Sequence, residues 1–369
     1  MSVTTSVAAE SVAAAPGEEP PDLDPDASDE VGAASLSSRV TSLRTLISLG
    51  VTAAVLGIAI WRAPIPWHDT WRQMRSANIG FYVLAIAVYY SSFGVRTARW
   101  KLLLRNTGED VRAPALLEIL LSSFFVNCVV PAKMGDVYRA VQLRARAAIS
   151  GAKSLGTIVA ERLLDLFVLM GLLVIAGGIT FRDHVPASLV PALIGGAVLC
   201  GLGIAGLCLM AAGRGRRLLG MLPDRAVARY EHFRTGTVDA FGRWTEVVPL
   251  SVAVWVLEGL RLGFVIIALG FGTEVGPAHF LLVALVAALL TTVPFLPGGL
   301  GLVEAGMVAV LTQFGLSTGQ ATAVALLDRS ISYGSLILVG GAVFLFSHAR
   351  PGRTPASKAR AGARSVVHQ

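Results

Sequence analysis

Charge is what this sequence lacks most. Only 15% of its 369 residues are Asp, Glu, Lys or Arg, against 54% hydrophobic, and its mean hydropathy is +0.66. A soluble domain carries roughly 25% charged residues, so an ordinary soluble enzyme of this length is excluded. Cysteine is scarce too. Cys128, Cys200 and Cys208 all fall in apolar blocks with no metal or redox spacing, which makes them small apolar residues. There is no Gly-x-x-x-x-Gly-Lys-Ser/Thr loop, no His-Glu-x-x-His and no Ser/His/Asp set, and no polar block is large enough for a catalytic domain. A pump with its own ATPase is therefore excluded, and no cofactor or metal is expected.

What is present is apolar sequence in blocks. Windows of 17 to 25 uncharged residues are long enough for a helix to cross about 30 Å of hydrocarbon. Such stretches lie at about 45–61, 76–95, 166–181 extended back to about 156, 187–213, 247–273 interrupted by Glu258 and Arg261, 275–303 and 305–327, with a last helix from about 320 to 346. The expected fold class is an all-α polytopic membrane protein with about seven to eight transmembrane helices.

The formal net charge of +7 averages over unlike regions. Residues 1–38 hold eight acids and no Lys or Arg, so the rest of the chain carries 31 basic and 16 acidic groups, a net of +15. Basic flanks on a membrane body point to anionic lipid as the partner, ahead of nucleic acid. Residues 1–43 read as a disordered acidic tail, 44–347 as the membrane domain, and 348–369 as a basic cytoplasmic tail. Within the domain, 212–247 mixes Arg with aromatic residues. It reads either as an interfacial amphipathic helix or as a solvated helix packed on the bundle.

One apolar block, 119–132, is too short to cross and is flanked by basic residues on both sides. A re-entrant hairpin opening to the cytoplasm keeps both flanks inside. The topology then closes with both termini cytoplasmic in a plasma-membrane protein and with Trp61, Trp67 and Trp71 in an external belt. Arg62, Arg72 and Arg75 in that first external loop run against the positive-inside bias.

The chain also repeats itself. Pro131-Ala-Lys-Met-Gly135 matches Pro297-Gly-Gly-Leu-Gly301, and an acid-Arg pair follows each proline after 30 and 31 residues, at Glu161-Arg162 and Asp328-Arg329. A charged helix precedes each unit, with Arg96 and Arg99 in the first and Glu258 and Arg261 in the second. If the second Pro/Gly segment is also a hairpin, it enters from outside. The two units then form an inverted repeat with broken helices, an architecture common among secondary transporters. A straight crossing there gives the same side for the C-terminus, so parity does not separate the two.

Ionisable groups inside a membrane pair with one another or line a polar cavity. Glu161, Arg162, Asp165, Glu258, Arg261, Glu304, Asp328 and Arg329 are such groups. The arginines can hold a lipid phosphate, and the acids can carry a proton or meet a cationic headgroup; structural ion pairing is the alternative for each. Lys133, Asp136 and Arg139 lie past the first hairpin tip, where Gly135 would let backbone N–H groups reach a headgroup. Lys133 and Arg139 read equally as positive-inside anchors. Asn127 is expected to satisfy carbonyls of the broken helix, and Gly259-x-x-x-Gly263 to mark close helix packing.

Taken together, Arg96-x-x-Arg99-Trp100, Asn127-x-x-x-Pro131-x-Lys133-x-Gly135-Asp136-x-x-Arg139, Glu161-Arg162-x-x-Asp165, Pro297-Gly-Gly299-Leu-Gly301-x-x-Glu304 and Asp328-Arg329 resemble the lysylphosphatidylglycerol synthase transmembrane region, or flippase-like domain, family. The resemblance spans about residues 40–347. In the family's two-domain synthases this region is joined to a cytosolic aminoacyl transferase, and only a short basic tail stands there in this sequence. The resemblance implies a flippase-like protein moving an anionic or lipid-linked polar headgroup, for which the candidate contacts are the charged residues named above, Glu258 and Arg261 included, with Gly135, Gly299 and Gly301. Its partners would be membrane lipids, with a lipid-linked sugar and oligomer formation left open. Some single-domain relatives are associated with glycosylation, so a glycosyl or lipid transferase, or a scaffold for one, is the alternative.

Overall fold

A computed structural model describes residues 66–130, 132–181, 190–213, 223–292 and 296–348, and these fall in one compact unit spanning 46–369. The acidic tail, the expected span at 45–61, Trp61 and the basic tail at 349–369 lie outside the described residues.

Among the described residues every regular element is helical. An amphipathic helix α1 (Trp67–Arg75) leads into α2 (Ile79–Asn106), whose N-cap Asn78 accepts N–H bonds from Gly80 and Phe81. The short α3 (Ala113–Val129), α4 (Met134–Ala147) and the long α5 (Gly151–Thr180) follow, and α6 (Val190–Ala211) then runs alongside α5. Next come α7 (Asp224–Val238) and the long α8 (Trp244–Ala268). Two short helices, α9 (Pro277–Leu290) and α10 (Leu302–Gln313), precede α11 (Thr318–Arg329). A π-helical turn, Ser330–Ser335, joins α11 to α12 (Leu336–His348).

Among the described residues, five helices are long and apolar enough to cross a membrane: α2, α5, α6 from Leu193, α8, and the α11–α12 rod from Thr318 to Ser347. The expected span at 45–61 lies outside these residues. The windows 275–303 and 305–327 are not single helices: the first is broken after Leu290 and the second at Phe314–Ser317. Hydropathy measures length without counting conformational breaks. Gly298, Gly299, Gly301 and Gly315 all take positive φ, which ends a helix at no steric cost only for glycine.

The same breaks create helical pairs. α3 and α4 lie side by side across the link at 130–133, held by Glu118–Arg146 at 2.9 Å and by the Gly135 N–H donating to Asn127 Oδ1 at 2.8 Å. Asn127 thus accepts from an amide rather than serving carbonyls. α9 and α10 pack likewise, with Gly306 against Leu290. The order long, short, short, long therefore occurs twice, as α2–α5 and as α8 to α11–α12.

The core lies where these sets meet. α2 packs along α8 in antiparallel fashion, since the Asn78 N–H donates to the Ala268 carbonyl at one end and Asn106 Nδ2 to the Ala240 carbonyl at the other. Gly259 and Gly263 admit Leu281 and Phe280 of α9, as the spacing predicts. For 212–247 the described part favours packing on the bundle. α7 sits on the start of α5, where Gly156 meets the Phe233 carbonyl and Gly236 meets the Lys153 carbonyl, each too closely for a side chain.

A candidate headgroup site in a charged cavity

Three layers of charge meet between the two sets. Arg96 and Arg99 stand one helical turn apart on α2, as do Glu258 and Arg261 on α8, so each pair shares a face. Glu161 and Asp165 share a face of α5. Arg162, about 100° around the helix, points elsewhere.

The first layer lies behind the cavity wall except for Asp165, which reaches the lining. Arg99 binds Asp165 through both terminal nitrogens, at 2.5 and 3.2 Å, and reaches Glu161 at 3.1 Å and Ser251 at 3.0 Å. Arg139 donates to Glu161 at 2.7 and 3.3 Å, and its guanidinium stacks 4.0 Å from the Trp100 ring centre. Charges taken out of water survive only when matched this closely.

The second layer joins α2, α8 and α11. Glu258 holds Arg96 at 2.7 Å and Arg261 at 3.0 Å, while Arg261 also pairs with Asp328. Tyr89 lies under Arg261, and its hydroxyl donates to the Ser332 carbonyl at 3.1 Å in the π turn.

The third layer is formed at the two breaks. Arg162 on α5 reaches Asp136 in the first turn of α4 at 2.8 and 3.2 Å. In the second set, Arg329 on α11 reaches Glu304 in the first turn of α10 at 2.8 Å, donates to the Gly298 carbonyl at 2.6 Å, and stacks on Tyr333. Glu304 in turn accepts the Gly301 N–H at 2.6 Å.

These layers enclose a cavity of about 440 Å³. Of the sequence-predicted residues, Arg96, Lys133, Asp136, Arg162, Asp165, Glu258, Arg261, Asp328 and Arg329 line it. Arg99, Arg139, Glu161 and Glu304 stand behind the lining as counter-ions. Arg139 is fully buried, so it is neither a surface anchor nor a headgroup contact. The glycines are packing residues. Gly135 spends its N–H on Asn127, and a side chain there would strike the Ser123 carbonyl; Gly299 faces Val303 and Thr291, and Gly301 is bound to Glu304.

Sequence reasoning missed Tyr89, Trp255, Thr291, Thr292 and Tyr333 in the lining. The signal for two of them was present: Tyr89 precedes Arg96 by two helical turns, and Tyr333 follows Arg329 by about one, so each shares a face with its arginine. Among the described residues no group of three or more His, Cys, Asp or Glu side chains is placed to hold a metal ion.

With this geometry in hand, the chain can be set beside known proteins. The family model for the lysylphosphatidylglycerol synthase TM region matches residues 45–340. The chain belongs to that family. The match takes in the cavity and both helix sets except the end of α12.

Its relatives carry few functional names. A UPF0104 membrane protein of Methanocaldococcus jannaschii is 29% identical over 223 residues, 60% of this chain and 93% of that protein. A UPF0104 membrane protein of Methanothermobacter thermautotrophicus is 25% identical over 319 residues, covering 80% and 92%. The glycosyltransferase AglD of Haloferax volcanii is 24% identical over 348 residues, 82% of this chain but 54% of that protein, so much of AglD lies outside the match.

Proposed function

We propose that this membrane protein is a lipid translocase of the cell membrane, passing an anionic or lipid-linked polar headgroup through the cavity while the lipid tails stay in hydrocarbon. The observation that carries this reading is a cavity of about 440 Å³, walled by five cations and four carboxylates, among helices apolar enough to span a bilayer. Each such group costs about 2.5–3.5 kcal/mol at the bilayer centre even on a lenient scale; ion pairing offsets this for eight of the nine, and their placement around a cavity supports a polar occupant or water between them.

Translocation needs access from both sides, which an inverted repeat supplies. Two observations support one. α2 and α8, the corresponding first helices, run antiparallel. The corresponding ion pairs, Asp136–Arg162 and Glu304–Arg329, each tie a hairpin helix to the long helix after it. In this arrangement α3–α4 is a re-entrant hairpin from the cytoplasm, α9–α10 one from outside, and both termini are cytoplasmic.

AglD's name favours a second reading, a membrane-embedded glycosyl or lipid transferase or a scaffold for one. The cavity chemistry weighs against an enzyme, because each lining carboxylate is paired with an arginine and none is left as a general base.

The test is a transbilayer assay of the purified full chain in vesicles containing a headgroup-labelled anionic lipid and an impermeant quencher. Quenching that extends beyond the outer leaflet is expected. Quenching confined to the outer leaflet for anionic and polyprenyl-linked labels alike would refute the translocase.

A further inference from the structure

The arginines in and behind the cavity wall are matched by carboxylates one for one, through the ion pairs described above. One cation in the lining stands outside that balance. Lys133 faces the cavity, and among the described residues no carboxylate lies within ion-pairing distance of it. The charged lining and its counter-ions therefore sum to +1, with the excess at Lys133.

The backbone at this position is costly for a lysine. Ala132 and Lys133 both adopt left-handed φ, +62° and +52°, just before α4. At the same offsets in the second unit stand Gly298 and Gly299, with φ of +57° and +70°. The same turn is thus built twice, once from glycines that take it freely and once with a lysine held against its preference. Strain of this kind at a residue lining the cavity points to a role for the side chain itself.

We infer that Lys133 is the anion seat of the cavity and that the headgroup carried is a phosphodiester with one net negative charge and no balancing amine. Such a group neutralises the +1 cavity. A zwitterionic headgroup can pair its phosphate with Lys133 but brings an ammonium for which the lining holds no free carboxylate, and an unmatched charge in a low-dielectric site is penalised. Arg162, on the same side and held by Asp136, supplies a planar donor beside the lysine's point charge. This assignment rests on the translocase reading and narrows its substrate class.

Binding and transport are measured separately, on the full chain. Thermal shifts in detergent are recorded with dioleoylphosphatidylmethanol, a minimal monoanionic phosphodiester lipid, with dioleoylphosphatidylcholine, and with dimethyl phosphate as the headgroup without tails. The expected result is stabilisation by phosphatidylmethanol alone, with affinity at least about tenfold weaker in Lys133→Gln and restored in Lys133→Arg. Lys133→Gly is expected to melt at or above the wild-type temperature while losing the same shift, which separates binding from folding. An equal shift in wild type and Lys133→Gln, or no preference over phosphatidylcholine, overturns the assignment. An equal shift from dimethyl phosphate overturns the lipid as its source. If those results come with intact transbilayer transfer, only this inference falls; if the wild type moves no lipid, the translocase reading falls as well.

Discussion

Arg139 holds Glu161 with both terminal nitrogens, at 2.7 and 3.3 Å, and neither side chain lines the cavity. Glu161 also touches Arg99, the partner of Asp165, at 3.1 Å, so one carboxylate contacts two buried cations. Removing one partner of a buried pair costs about 3–5 kcal/mol because the remaining charge is left unmatched. Glu161→Gln is thus expected to lower the melting temperature and the yield of folded protein, read by detergent size-exclusion and thermal unfolding. Melting at the wild-type temperature would show that Arg99 and Arg139 do not depend on it.

Arg329 makes a different demand. Its Nε binds Glu304 while Nη2 reaches the Gly298 carbonyl, a fork that a single ammonium cannot reproduce. Arg329→Lys keeps the charge and loses one of two charge-assisted bonds, each about 1.5–3 kcal/mol. We expect a folded protein with transport reduced roughly tenfold or more. Full transport in this variant would make the fork dispensable.

Two glycines of α5 provide a matched pair. At Gly156 an added methyl meets the Phe233 carbonyl, whereas at Gly171 nothing lies within 4 Å. Gly156→Ala is expected to destabilise by about 1–3 kcal/mol by prising α7 off α5, and Gly171→Ala to melt no lower than the wild type. The reverse order would remove the close contact of α7 with α5.

The antiparallel course of α2 and α8 is testable by labelling. In a background without Cys128, Cys200 and Cys208, a cysteine replacing Met134 should react with an impermeant thiol reagent from the cytoplasm, and one replacing Leu300 from outside. Labelling of both from one face would sink the inverted repeat. Independently, cysteines replacing Phe81 and Phe264, whose rings stack 6.4 Å apart, should cross-link.

Much of this was legible in the sequence because charge in an apolar helix is conspicuous. The Glu161-Arg162 and Asp328-Arg329 pairs, with Arg96, Arg99, Glu258 and Arg261 ahead of them, mark the cavity before any fold is known. Partner choice was not legible. Adjacent residues on a helix point about 100° apart, so Asp328 turns to Arg261 on α8 while Arg329 turns to Glu304 on α10. Pairings of that kind depend on tertiary contacts, and they decide that Arg139 is sealed inside while Lys133, six residues earlier, faces the cavity. The helix breaks within 275–303 and 305–327 were not legible for another reason: apolar length is indifferent to the glycines that stop a helix.

The one-for-one matching of arginine and carboxylate also determines how the wall answers a voltage. A membrane potential does work on net charge, about 2.3 kcal/mol per elementary charge per 100 mV. An ion pair that moves as a unit carries none. Helices bearing Arg96 with Glu258, or Arg329 with Glu304, can therefore shift across the field at no electrical cost. Of the lining, Lys133 alone gives the potential a handle.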